Sequence, residues 1–195
     1  MKNNLIRGIR KASDFLMALQ LTGAFKESTL ANLQVDLPAV VIGGGLTAID
    51  TATELAAYYP VQVEKALNRY ESLIGAYGKE KVEKAFDEEE SETISRWLEH
   101  GRQVRAERER AAASGQKPNL VKLVRSWGGV SIVYRKSLQD SPAYRLNHEE
   151  VIKSLEEGIC FVERLDPVGA IADGCGKLAG INFERQLRDE SGHWK

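Results

Sequence analysis

The sequence has little of what disulfide-rich or metal-built folds need. Cysteine occurs twice, as Cys160 and Cys175, and histidine three times, as His100, His148 and His193. Two thiols cannot make a disulfide framework or a four-ligand zinc site, and they lack C-x-x-C spacing. The histidines adjoin no cysteine pair. His148-Glu149-Glu150 is not H-E-x-x-H, so no zinc hydrolase is expected and no metal ligand is assigned. There is no G-x-S-x-G and no Cys–His arrangement for a nucleophile, and no catalytic residue is assigned. No run of about 18 apolar residues exists, so no membrane span is expected. The N-terminus, MKNNLIRGIRK, lacks a signal-peptide core. The expected compartment is the cytoplasm. Net charge is -1, from 27 Lys plus Arg against 28 Asp plus Glu. That balance gives no overall nucleic-acid footprint.

What is present suffices for a folded domain. Of 195 residues, 43% are hydrophobic and 28% charged, a composition that buries a core. Four segments follow one another without repeats. Residues 1–37 read as a leading helix and linker, with Ala12, Phe15, Leu16 and Leu19 at helical spacing and Gly23 as the stop. Residues 38–59 read as strand, glycine turn and helix. Residues 60–127 read as a helical insertion. Val63, Ala66, Leu67, Tyr70, Leu73, Ile74 and Tyr77 keep helical spacing there. The stretch Lys79–Arg110 holds eight cations and ten acids, with Phe86, Ile94, Trp97 and Leu98 as its apolar stripe. Mixed charge of this kind marks a solvated helix face. A last short helix holds Leu120, Val121, Leu123, Val124 and Trp127, and Trp97 and Trp127 are expected to pack in the core. Residues 128–195 resume the alternation. Val130–Tyr134 is a strand, Asn147 with Glu150 a capping box, and Val151, Ile152 and Leu155 a helix stopping at Gly158. Ile159–Val162 is a second strand with Cys160 inside the core. Asp173-Gly174-Cys175-Gly176 turns a hairpin.

The glycine turn carries the chemistry. Val40-Val41-Ile42-Gly43-Gly44-Gly45-Leu46-Thr47-Ala48 fits G-x-G-x-x-A between a strand and a helix. Gly43 permits the tight turn. Gly45 lets a pyrophosphate approach the backbone. Ala48 lets helix and strand pack closely. The helix start offers free N–H groups to the phosphates. The expected fold is α/β, a Rossmann-like three-layer dinucleotide-binding domain with a small β-meander and an α-helical insertion. Its split halves are 38–59 and 128–195.

The end of the second strand selects the dinucleotide. A carboxylate there bonds the ribose hydroxyls, whereas a 2′-phosphate needs cations. This chain has Tyr134-Arg135-Lys136. Arg135 can bind phosphate bidentately and Lys136 adds a point charge. NADPH is therefore expected before NADH. Gly45 and Arg135 lie 90 positions apart, whereas a βαβ unit takes about 30 residues. The reading requires that Val130–Tyr134 pair beside Ala39–Ile42 and that the insertion stay clear of the cofactor.

Val40–Asp50 resembles the G-G-G-N-T-A-x-D motif of the glutamate synthase small-subunit family, among the FAD-dependent pyridine nucleotide-disulfide oxidoreductases. Val130–Lys136 with Pro142 and Glu150 onward is similar to that family's V-T-I-V-Y-R-R … P … E-E-V stretch. Ala12–Leu19 and Asp166–Arg185 resemble its A-x-D-F-L helix and small β-meander. Together these cover about two thirds of the chain. Leu46 stands where the family has Asn, and Asp50 matches the motif without an assigned role. The insertion and the absence of an FAD fingerprint also depart from the pattern. The resemblance implies an NADPH-binding part of a flavoprotein, with Gly43, Gly44, Gly45, Leu46, Thr47, Ala48, Tyr134, Arg135 and Lys136 at the cofactor. FAD would lie on another part of the full-length protein, whose FAD-binding domain would be the partner, and the chain alone would be inactive. A degenerate docking module that recruits a partner, or a second copy, through the insertion is the alternative. A methyltransferase is disfavoured, because it wants an acid where Arg135 stands.

Overall fold

The computed structural model describes residues 1–189, Ser191 and Trp194. His193 lies outside the described residues. The apolar, β-branched runs form three short strands, β1 (Ala39–Ile42), β2 (Val130–Tyr134) and β3 (Cys160–Glu163). They make one parallel sheet in the order β1-β2-β3. Ala39 pairs with Val130 and Ile42 with Val133, while Ser131 pairs with Cys160 and Tyr134 with Glu163. β2 is thus the central strand beside β1, despite the long sequence gap between them.

Helix α1 (Ala12–Thr22) stops where Gly23 takes a left-handed conformation, φ 59°. The turn after β1 opens α2 (Leu46–Tyr77), 32 residues long and so about 48 Å at 1.5 Å per residue. α2 runs unbroken through Pro60. The boundary expected between residues 59 and 60 therefore falls inside one helix. Proline there removes one backbone donor and crowds the Ala56 carbonyl, and burial around it carries the helix through. Tyr58, Tyr59, Pro60 and Val63 are all buried. Then follow α3 (Lys79–Glu83), α4 (Glu88–Ala113) and α5 (Leu120–Ser126). α4 starts with a full capping box, Asp87 with Glu90. Its apolar stripe, Trp97, Leu98 and Val104, is buried against α2. Trp97 and Trp127 both join the packing: Trp97 is buried, and half-buried Trp127 lies against the core. The insertion helices and the sheet share one hydrophobic cluster, running from Phe15 and Val41 through Val63, Trp97 and Val104 to Ile132.

Three local expectations need correction. α6 spans Pro142–Glu156, and its cap is Ser141, whose hydroxyl accepts the Tyr144 N–H at 3.2 Å. Asn147 instead marks a break within α6, with φ -157° and ψ 78°. Ser141-Pro142 supplies both a cap and a proline at the first turn, and so starts the helix earlier. Cys160 is exposed rather than buried. Its row in the sheet is Val40–Ser131–Cys160. That row faces away from the side on which Val41 and Ile132 are buried, and Val40 is 42% exposed. The meander is a two-stranded hairpin, β4 (Leu165–Ala172) and β5 (Leu178–Arg185). Lys2 and Arg7 bridge to Gly169 and Lys177, so the residues before α1 extend it. Asp173 turns this hairpin by accepting the N–H groups of Cys175 and Lys177 at 2.9 and 2.8 Å.

No helix among the described residues is long and apolar enough to cross a membrane.

Candidate functional site

The register brings the two sequence motifs to one edge. Gly43 follows Ile42, Tyr134 follows Val133, and the Gly43 N–H donates to the Val133 carbonyl at 3.0 Å. Gly43–Ala48 and Tyr134–Lys136 therefore lie together at the carboxyl end of β1 and β2. That is where ligands bind in open α/β sheets.

The three glycines differ in their reasons. Gly43 has φ 153°, a conformation that L side chains rarely adopt. Its Cβ position would also touch the Ala48 side chain at 3.4 Å, which matches the close helix–strand approach. Gly44 is buried beneath the Tyr134 ring, and a Cβ there would lie 2.5 Å from Cε2. Its carbonyl accepts the Ala143 N–H at 2.9 Å, which seats the start of α6 against the turn. Gly45 has neither reason. Its φ of -97° suits any residue, and a Cβ there would meet nothing within 4 Å.

Gly45 is also the N-cap of α2, and no side chain caps it. The first turn holds no acidic residue. The Ala48 N–H turns back to the Gly45 carbonyl at 3.0 Å, but no side chain caps the helix start, which presents its partial positive charge outward. Leu46 and Thr47 beside it are exposed, while Ala48 is buried. Arg135 is exposed and Lys136 half-buried. Neither side chain has an ion pair or hydrogen bond among the described residues, whereas eleven other cations are paired. Glu163, which pairs with Tyr134, is the acid nearest in register. Its carboxylate accepts the Leu138 N–H, which holds it at the loop after β2.

No family model matches the chain. It is similar to the Uncharacterized protein RP006 of Rickettsia prowazekii (strain Madrid E), at 37% identity over 177 residues. Those residues make up 91% of this chain and 22% of that protein. The chain therefore spans about a fifth of the length of the curated relative it matches. The relative's name carries no activity.

Two further clusters lie away from the turn, and sequence reasoning missed both. Tyr59 Oη meets His100 Nδ1 at 2.7 Å, and the His100 ring stacks on Trp127 with centroids 4.1 Å apart. Burial pushes the His100 imidazole below, and the Tyr59 phenol above, its ordinary pKa. Asp36, in the linker before β1, accepts from Arg96 at 3.0 Å, Trp97 Nε1 at 3.2 Å and Lys177 at 2.8 Å. Burial opposes its charge, but the bonds from Lys177 and Arg96 win and hold it below the usual carboxylate pKa. These clusters bind α2, α4, the linker and the β4–β5 hairpin together, and they offer no nucleophile. Among the described residues no group of three or more metal-ligating side chains assembles.

Proposed function

We propose that this chain is a Rossmann-like dinucleotide-binding unit of a larger cytoplasmic, FAD-dependent oxidoreductase, and that it holds NADPH at the carboxyl edge of β1 and β2. The observation that carries the reading is Gly45. No backbone strain and no neighbour requires a glycine there, yet a Cβ would fill the space in front of uncapped N–H groups. A pyrophosphate passing close to the backbone accounts for both facts. The residues that would hold it are Gly43, Gly44, Gly45, Leu46, Thr47 and Ala48. Arg135 and Lys136, without an ion pair among the described residues, would take the 2′-phosphate. Tyr134, whose ring covers Gly44, would fix the turn. NADPH, when bound, supplies hydride. The chain's own residues bind and orient it, and the flavin would lie on another part of the protein. The relative in which a similar stretch makes up 22% of the length supports a role as part of a longer polypeptide.

A second reading is a docking module whose helical residues 60–127 engage a partner. It is favoured by Leu73 and Tyr77, which are 44% and 60% exposed near the end of α2. Calorimetric titration with NADPH, NADH and ADP separates the two. The NADPH reading expects NADPH to bind about ten-fold or more tighter than NADH. It also expects Arg135→Glu to erase that preference with the melting temperature unchanged. Equal affinities would discard the 2′-phosphate site, and absence of all binding would favour docking.

A further inference from the structure

A cavity of about 180 Å³ opens between the middle of α2, the linker before β1 and the start of α4. Its apolar wall includes Ala66, Tyr70, Leu73, Phe86, Ile94 and Trp97. Lys65 and Arg69 also line it, and among the described residues no aspartate or glutamate does. Lys65 is only 6% exposed. Its ammonium donates to the carbonyls of Ala24 at 2.7 Å and Ala31 at 3.3 Å. Arg69 donates to the Thr29 carbonyl. These bonds tie down the linker, but they leave donors on both cations, since an ammonium has three and a guanidinium five.

Buried cations are ordinarily matched by a carboxylate. Here Lys65 is buried and Arg69, one helical turn on, is half-buried, and neither has an ion pair among the described residues. Burial and the neighbouring Arg69 charge both lower the pKa of Lys65, against a smaller opposing effect of the Glu27 charge. An anion would relieve that strain. The apolar wall asks for a hydrophobic body on the same molecule. Cavities of about 150 Å³ accept benzene, so the size fits a single ring.

We propose that this cavity binds a small aryl carboxylic acid, with its ring against the aromatic wall and its carboxylate on Arg69 and Lys65. The arginine fork matches a carboxylate bidentately, and the lysine adds charge. The site is separate from the glycine turn. Lys65 lies 19 residues along α2 from Leu46, about 29 Å.

The test is titration of the whole chain with phenylacetate, followed by calorimetry and amide NMR, with phenylacetamide as the uncharged counterpart. Phenylacetate is expected to bind about ten-fold or more tighter than the amide. It should shift resonances around Ala66, Arg69 and Ile94 and leave Gly43–Thr47 unmoved. Arg69→Gln is expected to bring acid and amide to similar affinity. Ala66→Leu keeps both cations but fills the space, and should abolish binding of both while holding or raising the melting temperature. Equal binding of acid and amide by the unaltered chain overturns the proposal. So does no binding up to roughly 10 mM, or undiminished binding by Ala66→Leu.

Discussion

Gly45 and Gly101 lie on opposite sides of the same argument about space. A Cβ at Gly45 would meet nothing within 4 Å, whereas at Gly101 it would sit 2.6 Å from the Val63 carbonyl oxygen and 3.0 Å from Leu67 Cβ. Gly101 is buried in the middle of α4, where it lets that helix lie directly on the α2 backbone. Gly45 stands at the open end of α2. One glycine is explained wholly by atoms of the chain. The other is explained by none of them. Gly75, inside α2, is equally open, so it is the place of Gly45 at an uncapped helix start, and not openness alone, that favours the proposed nucleotide site.

The largest expected effect tests the packed side of this comparison. Gly101→Ala gains helix propensity of about 1 kcal/mol, but its methyl must displace a backbone carbonyl that cannot rotate away. Against a backbone atom only 2.6 Å away, overpacking is expected at the upper end of its range, about 3 kcal/mol, so the net loss expected is about 2 kcal/mol. In a chain of this size that lowers the melting temperature by roughly 4–8 °C. Calorimetric or urea melts read it directly. A stable Gly101→Ala would mean that α4 rides higher on α2 than its contacts imply.

A smaller effect is expected at Asp36, which clamps the other end of the same packed region. Asp36→Asn leaves Arg96 and Lys177 without their shared carboxylate. Hydrogen bonds to charged groups contribute about 1.5–3 kcal/mol each when buried. Asp36 keeps partial exposure, so a total loss near 1–2 kcal/mol is expected at neutral pH. The sign with pH follows from the depressed pKa. Its stabilisation is complete above the ordinary aspartate value of 3.8 and fades as pH falls through the lower folded value. Below about pH 4 the variant and the parent should therefore converge. Melts across pH 2–7 that keep a constant gap would show that the carboxylate charge is not what holds α4 to the hairpin.

These clamps were invisible in the sequence for a physical reason. Asp36 meets partners 60 and 141 positions away, and no local period marks such a pair. Lys65 reads as a solvated helix cation until the linker is seen folded over it. Cys160 sits in an apolar strand whose alternation is plain, but alternation does not say which face a helix covers. What was legible is what local geometry dictates. The β-branched runs became β1, β2 and β3. Gly43 had to turn left-handed, and Ala48 had to be small. β1 pairs with β2 across 91 positions, as the glycine-turn reading required. The helices between them pack into the same hydrophobic cluster as the sheet. Their apolar stripe found its partner on the same α2 that the glycine turn begins.

The smallest expected effect on stability carries the most about function. At Gly45 the backbone is extended, φ -97° and ψ 173°, so Gly45→Asp fits without strain. Aspartate is a better N-cap than glycine by a few tenths of a kcal/mol. Its carboxylate would accept the N–H of Thr47 or Ala48 and place negative charge at the positive end of α2. The melting temperature is expected to hold or rise slightly. The same carboxylate would occupy the N–H groups that a pyrophosphate needs and repel it, so NADPH affinity should fall by about 100-fold or more. Stability and binding then move in opposite directions at one atom's distance from the backbone. A drop in stability would give Gly45 an internal role like that of Gly101 and dissolve the contrast between them. Unchanged stability with unchanged NADPH affinity would keep the contrast and move the nucleotide away from the turn.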